Sequence, residues 1–383
     1  MLNSLEIKNF RSLENFQVKK LGQVNLIVGK NNSGKSSVLE ALRIYAGSAN
    51  RGLLESIAQG HNEKYRLNED DEQNAFDMAL PFEDFFTGRK FPENDSGIVI
   101  GEIDDPENSL NIIHGFLGEK EETTTDDSGE EVTRIRRVMI DKSEFFDSDY
   151  PVKDVLKITK KKQVSIIDFT RINIPSRKFL TEISSVPCSV IPTQFISMNE
   201  LAKEWDAISL TDGEDIVKKA LRIVLPEFED LTFVDGKTYE THRYRSSRIA
   251  KVKISNLDRP VPLNSLGDGM LRILQLVLKV FSAKGGFLLI DEFENGLHYS
   301  VQEKVWALLF KLSKELNIQI FATTHSWDCI ESFSKTAVEN KNIEGVLFRV
   351  GKSMRDSEKG RVIATVFDEE QLYSITQSDV EVR

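Results

Sequence analysis

Cysteine is scarce: Cys188 and Cys329 are the only two in 383 residues, too few for a disulfide scaffold or a four-ligand zinc centre. They read as buried thiols in a reducing compartment. No stretch approaches the ~18 consecutive apolar residues of a transmembrane helix. The opening MLNSLEIKNFRSLENFQV alternates apolar and polar residues where a signal peptide would carry a long apolar core. A cytoplasmic protein with no membrane partner is the expectation. Excess positive charge is missing too. Fifty Lys and Arg stand against 61 Asp and Glu, a net charge of -11, so the surface as a whole repels nucleic acid and only a local patch could bind it. No internal repeat is visible, and no heptad run is long enough for an extended coiled-coil arm.

What is present is the composition of a globular chain, 40% hydrophobic and 29% charged, which excludes a fibrous or wholly disordered protein. Leu2, Leu5, Ile7 and Phe10, then Phe16 and Val18, predict a hairpin. Val24, Leu26, Ile27 and Val28 form the next strand, after which Val38, Leu39, Leu42 and Tyr45 recur at helical spacing. The 50–195 region is irregular, with strand-like pieces at 97–101, 134–140 and 163–168. Within it EKEETTTDDSGEE (119–131) reads as a solvated surface loop, an acidic docking site being the alternative. SMNELAKEWDAI and EDIVKKALRIV predict a small helical lobe followed by a strand pair reaching residue 257. MLRILQLVLKVF (270–281) is a buried helix, GGFLLID and IQIFATT are buried strands, and EGVLFRV with RVIATVF is a hairpin. The alternation predicts an α/β fold with a mainly parallel sheet, an N-terminal antiparallel part and an inserted helical lobe. The expected boundaries are 1–197 with its insertion at 50–195, the lobe at 198–261, and the second part of the core at 262–383.

GKNNSGKS (29–36) fits the phosphate-loop pattern G-x-x-x-x-G-K-[ST] and lies between a predicted strand and a predicted helix. Gly29 and Gly34 let the backbone turn tightly, so that the amides of Asn31, Asn32, Ser33, Gly34, Lys35 and Ser36 can point at phosphate oxygens. Lys35 reaches the β and γ phosphates, and the Ser36 hydroxyl is placed for Mg²⁺. FLLIDE ends a buried strand in two carboxylates, which need a metal or a partner to offset their burial. Asp291 is assigned to the metal and Glu292 to polarising an attacking water. IFATTHS ends a third strand in His325, placed to contact the γ phosphate or the water. NSLGDGM (264–270), before the apolar helix, offers Ser265, Gly267 and Gly269 as a second anion cradle. One chain has one lysine-bearing loop, so the second cradle is read as serving another molecule's nucleotide.

This order of motifs resembles the ABC-type ATPase head of the OLD, RecF and SMC-like group, including bacterial ATPases named AAA. NFRSL (9–13) is similar to the group's N-terminal strand and turn, GKNNSGKSS, which extends to Ser37, to its phosphate loop, and LNSLGDGM to its variant signature. LLIDEFENGLH is similar to the metal aspartate, catalytic glutamate and D-loop, with Glu294 to His298 in the D-loop, and ATTHS to the switch histidine segment. The resemblance implies a P-loop NTPase that binds and hydrolyses ATP with Mg²⁺, as a head-to-tail homodimer enclosing two ATPs. It also implies a Q-loop glutamine, for which Gln194 is the candidate, a surface-polar role being the alternative.

OLD-family chains carry a nuclease domain after the ATPase. Here 57 residues follow Ser326, and Asp368, Glu369 and Glu370 read as a solvated helix start, so no intrinsic nuclease is expected. A separate effector protein, such as a nuclease, is the implied partner, and relatives of this shape imply a sensor or switch in phage defence. An ATP-dependent scaffold or nucleic-acid-binding protein of DNA repair, with little turnover, is the alternative. HRYRSSRIAKVK (242–253) concentrates Arg243, Arg245, Arg248, Lys251 and Lys253 around Tyr244, fitting nucleic acid, a protein surface or a merely solvated strand pair. RIRR (134–137) and KITKKK (157–162) are also basic but have no aromatic companion.

Overall fold

Three strands carry mainly apolar runs and are buried along their whole length: Val24–Val28, Phe287–Ile290 and Gln319–Thr323. Such runs belong to a sheet covered on both faces. In the computed structural model they lie in a six-stranded sheet in the order Cys188–Ile191, Phe287–Ile290, Gln319–Thr323, Val24–Val28, Gly345–Lys352, Val362–Phe367. All neighbours are parallel except the last pair. The structure describes residues 1–63, 66–67, 78–79, 81–125, 131–140, 152–169, 183–237, 246–355, 360–367, 371 and 374. Its helices are α1 (Lys35–Ala46), α2 (Arg51–Gly60), α3 (Met198–Ile208), α4 (Asp212–Val224), α5 (Asp268–Ser282), α6 (Tyr299–Glu315) and α7 (Trp327–Glu339).

The chain forms two units. The first contains residues 1–5, 17–39 and 186–383, and is built on the parallel sheet. Its 198–261 segment folds as α3 and α4 followed by an antiparallel sheet of Phe228–Lys237, Ser246–Ile254 and Val261–Pro262. Ser197 caps α3 by accepting from the Glu200 amide, and Leu201, Ala202, Trp205 and Ile208 form its buried face. These side chains share one hydrophobic cluster with Leu274 and Leu278 of α5 and with Ile290 of the parallel sheet. Two ion pairs add to the packing, from Lys279 on α5 to Glu200 and Glu204 on α3, each at 2.6 Å. The lobe is therefore an integral part of this unit's core.

The second unit, 6–16 with 40–185, is built mainly on an antiparallel sheet. Its strands run in the order Gln163–Asp168, Val152–Lys160, Leu110–Thr125, Ile98–Gly101, Leu5–Phe10, Leu13–Val18, with Glu131–Ile140 also pairing to Leu110–Thr125. This corrects two expectations. Parallel pairing is confined to the six-stranded sheet, because the irregular 50–195 region contributes hairpins, which are antiparallel by construction. The acidic 119–131 stretch is not a loop through its length: one strand runs on to Thr125 and the next begins at Glu131, residues 126–130 lying outside the described residues. The register sets Glu119 opposite Arg137 and Glu122 opposite Arg134, and the Thr123–Thr125 run favours a strand. Glu119, Glu121 and Glu122 thus lie on one arm of a hairpin and RIRR on the other.

Candidate nucleotide-binding site

The Val24–Val28 strand ends where the chain must turn sharply. Gly29 has φ 150°, and a β-carbon there would lie 2.3 Å from the Val350 carbonyl oxygen, so no larger residue fits. Asn32 (φ 60°) and Gly34 (φ 106°) complete the turn, and α1 starts at Lys35. The first amides of a helix have no carbonyl partner within it, which leaves N–H groups at the start of α1 available to an anion, whereas the Ser33 amide donates to the Lys30 carbonyl at 3.2 Å. Lys35 is 6% exposed, and its Nζ donates to the carbonyls of Gly29 (2.8 Å) and Lys30 (3.0 Å). Burial pulls its pKa below the usual lysine range, against the opposing pull of Asp291, Glu292 and Glu294. Asn31, Asn32 and Ser36 are exposed, Gly34 and Ser37 half-buried, and Ser33 buried with an Oγ that has no hydrogen-bond partner among the described residues.

Asp291 follows directly on Phe287–Ile290. Its Oδ1 accepts from Thr323 Oγ1 at 2.7 Å and its Oδ2 from Thr193 Oγ1 at 3.1 Å. Neighbouring strand ends therefore hold both oxygens. Glu292 sits at φ 49°, a left-handed conformation that costs a non-glycine residue about 1–3 kcal/mol. Its amide donates to Thr323 Oγ1 (2.9 Å) and its carbonyl accepts from Arg272 Nη2 (2.7 Å), which holds the carboxylate at the turn. His325 lies between the two charges, with Nδ1 3.4 Å from Lys35 Nζ and Nε2 3.8 Å from Glu292 Oε1. Lys35, His325 and Glu292 thus form a row across three strand ends.

Several residues that shape this row are not visible as sites in the sequence. Glu294, assigned there only to the D-loop, accepts from the His325 amide (2.8 Å), the Ser326 amide (3.1 Å) and Thr324 Oγ1 (2.7 Å), clamping the histidine turn. Thr193 and Thr323 fix the Asp291 carboxylate, and the one available signal is that Thr323 ends a buried strand and Thr193 follows a half-buried one by two residues. Arg272 on α5 is fully buried and donates to the carbonyls of Pro192 (2.9 Å), Asp291 (2.9 Å) and Glu292 (2.7 Å). Burial lowers its pKa to about 10, with Asp291, Glu294 and Glu292 opposing. A single arginine inside the apolar run MLRILQ is the clue that marks it.

Other predicted residues are placed apart from this row. Gln194 is exposed and makes no hydrogen bond among the described residues; its neighbour Thr193 makes the contact to Asp291. Ser265 and Gly267 are exposed, Ser265 Oγ donates to the Pro262 carbonyl at 2.6 Å, and Gly267 (φ 89°) starts α5 with no side-chain cap. Among the described residues no hydrogen bond joins them to the phosphate loop. Gly269 is closely covered by the D-loop: a β-carbon there would lie 3.2 Å from the Gly296 carbonyl oxygen. Of the basic cluster, Arg243, Tyr244 and Arg245 lie outside the described residues. Arg248 pairs with Asp206 through two contacts of 3.2 Å, and Lys253 with Glu229 at 2.7 Å, which neutralises most of the charge the described part could offer a phosphate. Asp368, Glu369 and Glu370 are also outside the described residues.

Among the described residues no three His, Cys, Asp or Glu side chains converge on a preformed metal centre. Mg²⁺ rarely needs one, since it commonly takes one or two protein oxygens and completes its shell with phosphate and water. The Ser36 hydroxyl and the Asp291 carboxylate are hard oxygen donors of that kind, and the two threonines leave lone pairs free on each Asp291 oxygen. The donor set fits the ion. Among the described residues no helix is long and apolar enough to cross a membrane.

Comparison with known proteins agrees with this geometry. The AAA ATPase domain family matches residues 1–330. An ATP/GTP phosphatase of Helicobacter pylori is 22% identical over 335 residues, covering 86% of this chain and 87% of its own. Shorter similarities link 21% of the chain to 24% of the DNA replication and repair protein RecF of Lachnoclostridium phytofermentans, at 31% identity. Another links 26% of the chain to 12% of the DNA double-strand break repair Rad50 ATPase of Archaeoglobus fulgidus, at 32% identity. The chain belongs to the AAA ATPase domain family.

Proposed function

We propose that the chain binds ATP on the Gly29–Ser37 loop and hydrolyses it with Glu292, and that a separate partner protein reads its nucleotide state. The observation that carries this reading is the row Lys35, His325, Glu292, with separations of 3.4 and 3.8 Å. In it Lys35 and the loop amides bind the phosphates, His325 orients the terminal phosphate or the water, and Glu292 accepts the water's proton. Ser36 and Asp291 would hold Mg²⁺, whose charge offsets that developing on the phosphates. Ser265 and Gly267, exposed at the start of α5, together with the half-buried Gly269, are proposed to close on the ATP of a second copy, giving a homodimer. Gln194 is retained as a nucleotide contact from the exposed segment beside Thr193. The functional division is proposed as 1–197, 198–261 and 262–383.

Two settings are open to such a switch. Phage defence, in the manner of OLD-like systems, is one. The other is an ATP-dependent scaffold in DNA repair with low turnover, and the similarity to RecF and Rad50 supports it better. The ATP/GTP phosphatase relative supports triphosphate hydrolysis in either setting. The test is phosphate release and labelled-ATP titration on the full chain beside Lys35→Ala, which removes the charged contact to the phosphates. Undiminished ATP affinity in a folded Lys35→Ala protein would sink the assignment.

A further inference from the structure

A cleft of about 530 Å³ opens beside the phosphate loop, against the hairpin of Gly345–Lys352 and Val362–Phe367. Lys30 lines it from the loop, and Arg349 and Lys352 line it from the hairpin. None of the three is ion-paired among the described residues. In a chain of net charge -11, three cations without ion pairs around one cleft form a local positive patch. Ser33 also lines the cleft, and it is the buried serine whose Oγ has no partner.

The cleft's form narrows the ligand. The hairpin register sets Arg349 opposite Thr365 and Gly351 opposite Ile363, so these two pairs share a sheet face. Gly351 leaves room: a β-carbon there would meet no atom within 4 Å. Ile363 and the 89%-exposed Met354 provide apolar surface, and a thioether packs well on an aromatic ring. Asn31 and Asn32 add amide donors and acceptors. The volume is in the range of small-molecule sites. Lys35, Ser36, Asp291, Glu292 and His325 are not among the lining residues, so the space is separate from the hydrolytic row.

We propose that this cleft is a second anion site, holding a nucleoside monophosphate while the phosphate loop holds its own nucleotide. The three cations and Ser33 take the phosphate, Ile363 and Met354 take the base, and Lys30 to Ser33 are a wall shared with the ATP cradle. The test titrates AMP bearing a ribose fluorophore against the full chain saturated with Mg²⁺ and the β,γ-imido analogue of ATP. Saturable binding of one AMP per chain is expected. Arg349→Gln with Lys352→Gln should weaken it at least ~10-fold by removing two charge-assisted contacts. Gly351→Leu should weaken it comparably by filling the space with the charges intact, and both proteins should keep their affinity for the ATP analogue. No saturable AMP binding, or binding indifferent to both changes, overturns the proposal. So does a parallel loss of analogue affinity, which would make the cleft part of the first nucleotide site. Binding of oligothymidylate where AMP fails to bind overturns it in favour of a nucleic-acid strand.

Discussion

The Nζ of Lys35 and the Nδ1 of His325 stand 3.4 Å apart although 290 residues separate them in the chain. The sheet order brings them together: Gln319–Thr323 lies directly beside Val24–Val28, with Thr323 in register with Ile27, so the segments leaving both strands emerge side by side. The third member, Glu292, arrives from the next strand along.

Glu292→Gln keeps the side chain's size and removes its basicity. ATP binding should persist while turnover falls roughly 100-fold or more. Phosphate release and nucleotide affinity measured on the same preparation check this, and near-normal turnover would remove Glu292 from its role.

Arg272→Met should destabilise the first unit. It deletes the donor to three carbonyls in the segments that bear Thr193, Asp291 and Glu292. Removing a buried charged donor of this kind costs about 3 kcal/mol. The midpoint of thermal unfolding should drop, and it should drop for Arg272→Lys as well, since one ammonium cannot span the same fork.

Lys160 gives a pH dependence of known sign. Its Nζ donates to the Tyr45 carbonyl at 2.9 Å and lies 3.8 Å from that ring's centroid. Burial, assisted by neighbouring Lys161, lowers its pKa from 10.5 to about 8. The folded protein releases this proton before the unfolded chain does, so the unfolded chain binds more protons between the two values. Stability should therefore gain as pH rises from about 8 to 10.5, with the full gain above 10.5 and its loss as pH falls back through 8. Thermal midpoints across that window should show the rise in the parent protein and a flatter profile in Lys160→Met.

The exposed Ser265 and Gly267 predict complementation between defective chains. Lys35→Ala and Gly267→Asp, each inactive alone, should recover part of the ATPase rate when mixed, because one interface of a mixed dimer is intact. Light scattering with ATP and Glu292→Gln is the companion measurement. A protein that binds ATP fully but stays monomeric over a broad concentration range would defeat the trans assignment.

The elements legible in the sequence were those governed by local rules. Mainly apolar runs marked Val24–Val28, Phe287–Ile290 and Gln319–Thr323 as central strands, and the spacing of glycine and lysine marked the phosphate loop. What stayed hidden depends on register between distant segments. Glu119 and Glu122 look like part of a solvated loop until they are aligned with Arg137 and Arg134 on the returning strand. Thr193 becomes informative only once Cys188–Ile191 is known to pair with Phe287–Ile290, which brings its hydroxyl to Asp291. Arg248 and Lys253 looked like an open basic patch because Asp206 and Glu229, their partners, are far away in sequence.

Gly296 has φ 74°, and a β-carbon there would lie in van der Waals contact with the Asp268 carbonyl and the Arg272 β-carbon, at 3.4 and 3.5 Å. Two residues earlier, Glu294 grips the amides of His325 and Ser326. The five residues from Glu294 to His298 are thus a short rocker: one arm rests on the first turn of α5 and the other holds the histidine. If a second copy docks on Ser265 and Gly267 as proposed, a shift of that end of α5 would reach the His325 turn through this short segment.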